Sequence, residues 1–248
     1  MPVDPVLIAI VAAVFVLAGW IKGVIGLGLP TIATGLLGLY LAPVQAASIV
    51  VLPALLTNIW QMLAGRGFLK MLRRLWPMLA AVVVGTVATA GVVAKADVHL
   101  TVAALGAALI VYSLHALFGT SIRVPPRWEG LIGAAAGLAN GVISGTTGVF
   151  VVPTVPFLQA LELDKDDMVQ AIGITAFTSA FALALGLGVH GALRSEAAVP
   201  AAIAVVAAFA GMGLGQVLRS GLSIETFRRW VLIGLAALGA SMLSRGLL

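Results

Sequence analysis

The chain has 248 residues, of which 61% are hydrophobic and 9% are charged, and its mean hydropathy is +1.16. A soluble domain of this length needs many charged surface residues, so this composition excludes one and predicts an integral membrane protein. The chain has no cysteine, which excludes disulfides and thiolate metal sites. We interpret the formal net charge of +5 as basic loops that hold one side of the protein at the cytoplasm, not as a nucleic-acid-binding surface.

Long uncharged stretches follow one another along the chain, and most reach the roughly 20 residues that a membrane-spanning helix needs. The first apolar run, residues 6–24, has no Lys or Arg before it, so we predict a retained helix and not a cleaved signal peptide. Together the stretches predict an all-α, polytopic fold, and two of them are too long for one straight helix. The uncharged stretches are 23–65, 75–94, 98–122, 130–161, 168–193 and 197–218.

Two similar glycine-rich motifs occur in the two halves of the chain. Residues 19–30 are GWIKGVIGLGLP, and residues 137–153 are GLANGVISGTTGVFVVP. Both motifs begin with Gly-x-x-x-Gly-Val-Ile, continue through a glycine-rich break and reach Pro-Thr. Gln45-Ala46 follows the first motif and Gln170-Ala171 follows the second. This order predicts two homologous repeats, an organisation typical of secondary transporters.

We place the first transmembrane repeat at 1–122 and the second at 123–248, within a single membrane domain. Eight crossings would make the repeats parallel, with basic loop residues distributed eight to five between the two sides. If 30–42 and 150–162 also cross, the repeats are inverted and ten basic residues lie on one side against three on the other. The positive-inside rule favours this inverted arrangement of Gly/Pro-broken helices, although thirteen helical residues rise only about 20 Å. We therefore predict 8–10 membrane segments. The ten basic residues are Arg66, Lys70, Arg73, Arg74, Arg123, Arg127, Lys165, Arg219, Arg228 and Arg229, and the three are Lys95, Arg194 and Arg245.

The two glycine-rich breaks, Gly26–Pro30 and Ser144–Gly148, interrupt apolar runs at membrane depth. Backbone groups freed there need partners that lipid does not supply, and a helix restarting at such a break directs its N–H groups at a bound anion. We expect the ligand to bind near the midplane, between the breaks. The alternative is that small residues only allow helices to pack closely, and we prefer packing for the Gly-x-x-x-Gly pairs. The predicted substrate-binding residues are Lys22, Gly26, Gly28, Thr31, Asn58, Asn140, Ser144, Gly145, Thr146, Thr147, Gly148 and Thr178.

Lys22 is the only charged residue between positions 5 and 65. A lysine this deep in a membrane segment is a candidate for a functional site, and its alternative role is to extend its ammonium to the lipid headgroups. Its counterpart in the second motif is Asn140, which is neutral but still a donor, so the two together make one asymmetric anion pocket in this hypothesis. No Asp or Glu lies in the middle of a span, so a proton-coupled carboxylate mechanism has no obvious carrier.

At these residues the sequence resembles the sulfite exporter TauE/SafE-like family, also called the toluenesulfonate uptake permeases. The resemblance covers essentially the whole chain, and it implies a bacterial inner-membrane permease, usually with about eight helices, for sulfite, sulfoacetate or another organosulfonate. The first half departs from a polar motif, because Leu27 and Leu29 stand where the second half has Thr146 and nearby polar groups. The residues that support the resemblance are Gly19, Gly23, Gly26, Gly28, Pro30, Gln45 and Ala46, then Gly137, Gly141, Gly145, Gly148, Pro153, Gln170 and Ala171.

From this sequence we predict a multi-pass secondary transporter in the bacterial plasma membrane that moves a small sulfur-containing anion. The alternatives are a passive anion channel and a non-transporting membrane subunit that anchors or assembles an enzyme. We expect no catalytic residues, no metal and no cofactor, since no metalloprotease or nucleotide-binding motif occurs. The expected partners are the anion, the lipid bilayer and, as an open possibility, further copies of the chain.

Overall fold

The computed structural model of the chain describes residues 4–63, 67–95, 97–119, 123–150, 153–193, 195–218 and 223–247. These residues form helices and no strands, which confirms the predicted all-α class. Arg66, Arg194 and Arg219, which entered the charge count above, lie outside the described residues. The helices are α1 Pro5–Ile25, α2 Leu29–Leu37, α3 Pro43–Leu63, α4 Phe68–Lys95, α5 Val98–Phe118, α6 Glu129–Thr147, α7 Thr154–Gln159, α8 Lys165–Val189, α9 Ala198–Leu218 and α10 Ile224–Leu247, with short 3-10 turns at Pro126–Trp128 and Ser195–Ala197.

Seven of the described helices are long and apolar enough to cross a membrane: α1, α3, α4, α5, α8, α9 and α10. They confirm the prediction of a polytopic membrane protein. Helix α6 has 19 residues but is rich in glycine and is not one of the seven. Helices α2 and α7 have nine and six residues. They rise only about 14 Å and 9 Å, well short of a hydrocarbon core about 30 Å thick.

The first glycine-rich break ends α1 and starts α2 through two left-handed residues. Gly26 has a φ of 89°, and its N–H donates to the Lys22 carbonyl over 2.7 Å, which closes the last turn of α1. Gly28 has a φ of 100° and precedes α2, whose first turn contains Pro30. Glycine adopts such φ values without steric cost, and proline is favoured in a first helical turn. The local sequence therefore stops one helix and begins the next within three residues.

Helices α1 and α3 run in the same direction. At their ends, the Gln61 side chain of α3 donates to the Gly26 carbonyl over 3.0 Å. At their starts, Leu7 lies beside Leu41 and Gln45 in the wall of one pocket. The chain must return between these two ends, so α2 and the turn after it run opposite to both helices. An eight-crossing path would have made α1 and α3 antiparallel.

The first helices of the second half run opposite to those of the first half. The start of α8 lies at the end of α3, where the Gln61 side chain donates to the Val169 carbonyl over 3.3 Å. The start of α6 lies near the start of α4, where Arg74 pairs with Glu129 at 2.6 Å. Since α4 begins where α3 ends, α6 and α8 run opposite to α1 and α3. An inverted arrangement requires these directions, while the duplication of one ancestral unit stays a prediction.

Helices from different halves pack closely through glycine. Helix α1 packs on α9, α4 on α6, α3 on α8, and α5 on α10. A Cβ on Gly19 would overlap the Ala208 carbonyl of α9, and one on Gly137 would overlap the Met78 carbonyl of α4. Such close approach lets backbones meet, which is how helices associate where lipid removes the hydrophobic driving force. In this fold the Gly-x-x-x-Gly pairs therefore serve close helix packing, which is the role we preferred for them.

Basic residues concentrate at one end of the helix bundle. We call the end where α1 and α3 finish and α4, α6 and α8 begin the basic face, and the other end the opposite face. The opposite face has Lys95 at the end of α4 and Arg245 at the end of α10 among the described residues. The positive-inside rule therefore predicts that the basic face lies in the cytoplasm. The described basic residues of the basic face are Lys70, Arg73, Arg74, Arg123, Arg127, Lys165, Arg228 and Arg229.

Single cysteines will test this orientation directly, because the natural chain has none. We expect Arg73→Cys at the basic face to react with an impermeant maleimide only from the cytoplasmic side of membrane vesicles. We expect Glu196→Cys, an exposed position at the opposite face, to react only from the other side. Labelling of both cysteines from the same side would contradict the opposed positions of these residues.

Candidate anion site

Lys22 is buried against α3. Its side chain is only 3% exposed, and its Nζ donates to Thr57 Oγ1 over 3.2 Å and to Asn58 Oδ1 over 2.5 Å. The Thr57 hydroxyl donates its own proton to the Pro53 carbonyl over 2.8 Å, which leaves an oxygen lone pair facing the ammonium. These bonds hold the ammonium inside the bundle, so the alternative in which Lys22 extends to the headgroups does not describe this conformation.

The Lys22 cluster, formed by Lys22, Thr57 and Asn58, has hydrogen-bond donors that no protein acceptor uses. A lysine ammonium has three donors, and the two bonds above use two of them. Asn58 Nδ2 is buried and has no partner, and neither has Thr31 Oγ1 in the first turn of α2. Among the described residues no carboxylate pairs with Lys22. Buried polar groups are usually hydrogen-bonded, so a buried cation with unused neighbouring donors is an arrangement that suits an anion.

A cavity of about 250 Å³ lies beside the Lys22 cluster, near the basic-face ends of α1 and α3. Gln61 borders it and bridges the Gly26 carbonyl of the first break to the Val169 carbonyl of α8. A cavity of this size holds several water molecules or one small anion. The lining residues are Lys22, Gly23, Ile25, Gly26, Trp60, Gln61, Val169, Met212 and Gln216.

Asn140 forms a second, neutral cluster in the other half. Its Nδ2 donates to Ser179 Oγ of α8 over 3.2 Å, and its Oδ1 accepts from Thr154 Oγ1 at the start of α7 over 3.4 Å. Asn140, Ser179 and Thr154 are fully buried, while Thr178 beside them is half-buried. Lys22 thus bonds to α3 in the first half of the chain, and Asn140 bonds to α7 and α8 in the second half.

The hydroxyls before the second break bond to the protein itself. Ser144 Oγ lies 2.8 Å from Thr86 Oγ1 of α4, which joins α6 to α4. Thr146 and Thr147 donate to carbonyls one turn back in their own helix, over 2.8 Å and 2.6 Å. A Cβ on Gly145 would lie 2.7 Å from the Thr86 carbonyl, so this glycine packs against α4. These predicted site residues have helix-packing contacts in this conformation.

The two breaks lie far apart along α3. Gly26 contacts Gln61, whereas the Gly148 carbonyl accepts from Thr34 Oγ1 over 3.4 Å and a Cβ at Gly148 would lie 3.9 Å from Ala47. Ala47 and Gln61 are fourteen residues apart on one helix, a rise of about 21 Å. A small anion therefore does not reach both breaks at once, contrary to the expectation of one midplane pocket between them.

The chain matches a known family over most of its length. The family model described as sulfite exporter TauE/SafE matches residues 11–242, nearly the whole chain. The chain belongs to the sulfite exporter TauE/SafE family. Comparison with curated proteins and with solved structures finds no match. As a TauE/SafE family member, the protein is a multi-pass membrane protein of a transporter family and not of an enzyme family, and the bacterial inner membrane is a location that fits this family.

Several polar residues of this TauE/SafE family member were absent from the predicted set. Thr57 and Ser179 are sequence neighbours of the predicted Asn58 and Thr178, and two adjacent polar residues in an apolar helix do not reveal which one faces inward. Gln61 lies three residues after Asn58, a spacing that places both on one helix face and that would have supported its inclusion. Thr154 follows directly after the proline that ends the second motif.

Proposed function

We propose that the protein is a secondary transporter that moves a small sulfur-containing anion, such as sulfite, sulfoacetate or another organosulfonate, across the bacterial plasma membrane. The anion binds at the Lys22 cluster, in the cavity beside the first break. One observation supports this site above all: Lys22 is buried, no carboxylate among the described residues pairs with it, and Asn58 Nδ2 next to it has no partner.

A bound anion supplies the negative charge that the Lys22 cluster lacks. Burying an ammonium without a counter-charge costs several kcal/mol or more, whereas a paired and hydrogen-bonded charge is far less costly. A sulfite or sulfonate group presents three oxygens on one face. These oxygens can accept from the Lys22 ammonium and from Asn58 Nδ2. Charge-assisted bonds of this kind are short and roughly twice as strong as neutral ones.

The start of α2 adds a weaker attraction for the anion. Its first N–H groups follow the break at Gly28, and the N-terminus of a helix carries a partial positive charge. Thr31 in this first turn has a buried hydroxyl without a partner. Gly26 lines the cavity beside Lys22, whereas Gly28 lines a separate, narrower cavity that also borders Ile25. We therefore assign this helix end and Thr31 the role of donors along the path of the anion.

Transport requires that the site open to each side in turn. The Lys22 cluster lies toward the basic face, while the second break contacts α3 at Ala47, ten residues before Thr57 and thus about 15 Å away toward the opposite face. In an inverted pair of repeats, exchange of conformations between the halves opens the second side as the first one closes. Because α1 packs on α9 and α4 on α6 through backbone contacts, each unit that moves combines helices of both repeats, 1–122 and 123–248.

Radiolabelled counterflow in proteoliposomes tests this proposal. We expect saturable uptake of labelled sulfite or sulfoacetate, and faster uptake when the same unlabelled anion is trapped inside the liposomes. The reason is that the binding site of a carrier returns across the membrane faster when it holds an anion. Protein-free liposomes are the control for leakage of sulfite. Flux that neither saturates nor shows counterflow would assign a channel instead. Absence of flux for every sulfur anion tested would leave a non-transporting membrane subunit.

A further inference from the structure

A second cavity opens at the basic face, on the other side of the first break from the Lys22 cluster. It has a volume of about 300 Å³ and lies between the end of α5 and the start of α10. Arg228 and Arg229 line it together with one acidic residue, Glu225. The remaining lining residues are Ala116, Leu117, Phe118 and Leu232. Its polar wall is therefore predominantly basic.

Arg228 also borders two much narrower cavities that share lining residues with the large one. The first, of about 10 Å³, reaches Gly28 and Ile32 at the start of α2. The second, of about 20 Å³, reaches His115 and Gln159. Leu27 of the break lines both narrow cavities. Arg228 thus lies where the large cavity meets the two narrow cavities, both of which reach the first break at Leu27. We call the two narrow cavities the passages.

The Arg228 guanidinium has donors that the protein does not use. Its described hydrogen bond runs from Nη2 to the Ala116 carbonyl near the end of α5, at a long 3.4 Å. A guanidinium has five N–H donors. No ion pair involves Arg228 within the described part of the chain. A cation such as Arg228 is stabilised by the C-terminal end of a helix such as α5. This interaction explains one of its donors, but it does not explain the cavity beside the side chain.

The break separates Arg228 from Lys22. Ile25 lines both the narrow cavity next to Arg228 and the 250 Å³ cavity next to Lys22. Residues of the first break therefore lie between the two cavities. The apolar side chain of Leu27, which departs from the more polar second motif, narrows the passage on the Arg228 side.

We propose that Arg228 forms an oxyanion-binding vestibule, through which the substrate passes between the basic face and the first break. This inference rests on the proposed transport function. The recognised chemistry is a sulfonate- or sulfite-type oxyanion, and the phosphate of an anionic lipid headgroup has similar chemistry. The substrate is the better occupant, because both narrow cavities continue inward to Tyr112, which is 6% exposed and lies six residues before the end of α5.

Protection of arginine from phenylglyoxal tests binding without requiring transport. In purified protein in neutral detergent, we expect methanesulfonate to slow the modification of Arg228 by about tenfold relative to chloride at equal ionic strength, as a charged hydrogen-bonded contact implies. Modification of Arg73, exposed at the same face, is the internal control and stays unchanged. Lys22→Ala retains the protection of Arg228 if the vestibule is a site of its own.

Flux measurements then test the role of the vestibule. With substrate presented at the basic face, we expect Arg228→Gln to raise KM about tenfold, Arg228→Lys to recover part of the loss, and Arg73→Gln to change nothing. Protection of Arg228 by phosphatidylglycerol but not by methanesulfonate would overturn the proposal in favour of a lipid site. An unchanged KM in Arg228→Gln would overturn it as well. Protection in a protein that shows no flux would support the vestibule while refuting the transport function.

Discussion

Replacing Lys22 with alanine will abolish saturable anion flux without unfolding the protein. The substitution removes the buried cation to which we assign the anion, so kcat/KM falls by about 100-fold or more. The apparent melting temperature stays the same or rises, because an unpaired buried charge is replaced by a small apolar group. Counterflow in proteoliposomes and a thermal unfolding curve of the same preparation measure the two effects.

Two further variants separate binding from structure at this cluster. Asn58→Asp places a carboxylate where an amide oxygen now lies 2.5 Å from Lys22 Nζ, so the protein itself neutralises the lysine and the anion is excluded. We expect flux to be lost in Asn58→Asp although Lys22 remains. Lys70→Ala removes an exposed lysine at the same face and serves as the control for net charge. Wild-type flux in Lys22→Ala would move the substrate site elsewhere in the bundle.

Adding one methyl group at Gly211 will strongly destabilise the packing of α9 on α1. A Cβ at this position would overlap the Val16 carbonyl and lie 2.9 Å from the Trp20 backbone nitrogen. Both are backbone atoms and cannot turn away as a side chain does, so the helices must separate. We expect Gly211→Ala to lower the free energy of unfolding by about 1–3 kcal/mol, the usual range for overpacking. Thermal melting in detergent measures this loss.

The same helix provides a matched control for this prediction. Gly213 lies two residues away in α9, and a Cβ there would meet no atom within 4 Å. Gly213→Ala therefore keeps or slightly raises stability, because alanine is the better helix former. Gly19→Ala, on the α1 side of the same interface, should resemble Gly211→Ala. Equal stability of the Gly211 and Gly213 variants would show that α1 and α9 are not in backbone contact.

These contacts limit how the transporter moves. The α1–α9 and α4–α6 interfaces join backbone to backbone, so each pair can shift only as a unit. The α3–α8 contact at the basic face is of the same kind, because a Cβ on Gly173 would lie 2.6 Å from the Met62 backbone nitrogen. Gln61 and Gln170 add side-chain hydrogen bonds across it, over 3.3 Å and 3.0 Å. This pair therefore also shifts as a unit in our proposal.

The amino-acid sequence by itself determined the class of protein and the places where its helices break. The hydrophobic composition determines that the protein lies in a membrane, because a chain with so few charged residues requires lipid around it. Gly26, Gly28 and Pro30 act locally, through φ values and a missing N–H, so the end of α1 and the start of α2 follow from three residues. Lys22 was recognisable for a similar reason, since a charge in an apolar run has a high energetic cost wherever the chain folds.

Only the tertiary structure decided which polar groups meet. Lys22 bonds to residues 35 and 36 positions away, and the direction of α3 beside α1, which sets this contact, depends on the whole path of the chain. The hydroxyl of Ser144 and the glycine at 145 were compatible with either a ligand cavity or helix packing, because a small residue serves both. The distance between the two breaks, and the cavity at Arg228, likewise arise from long-range packing that no local pattern encodes.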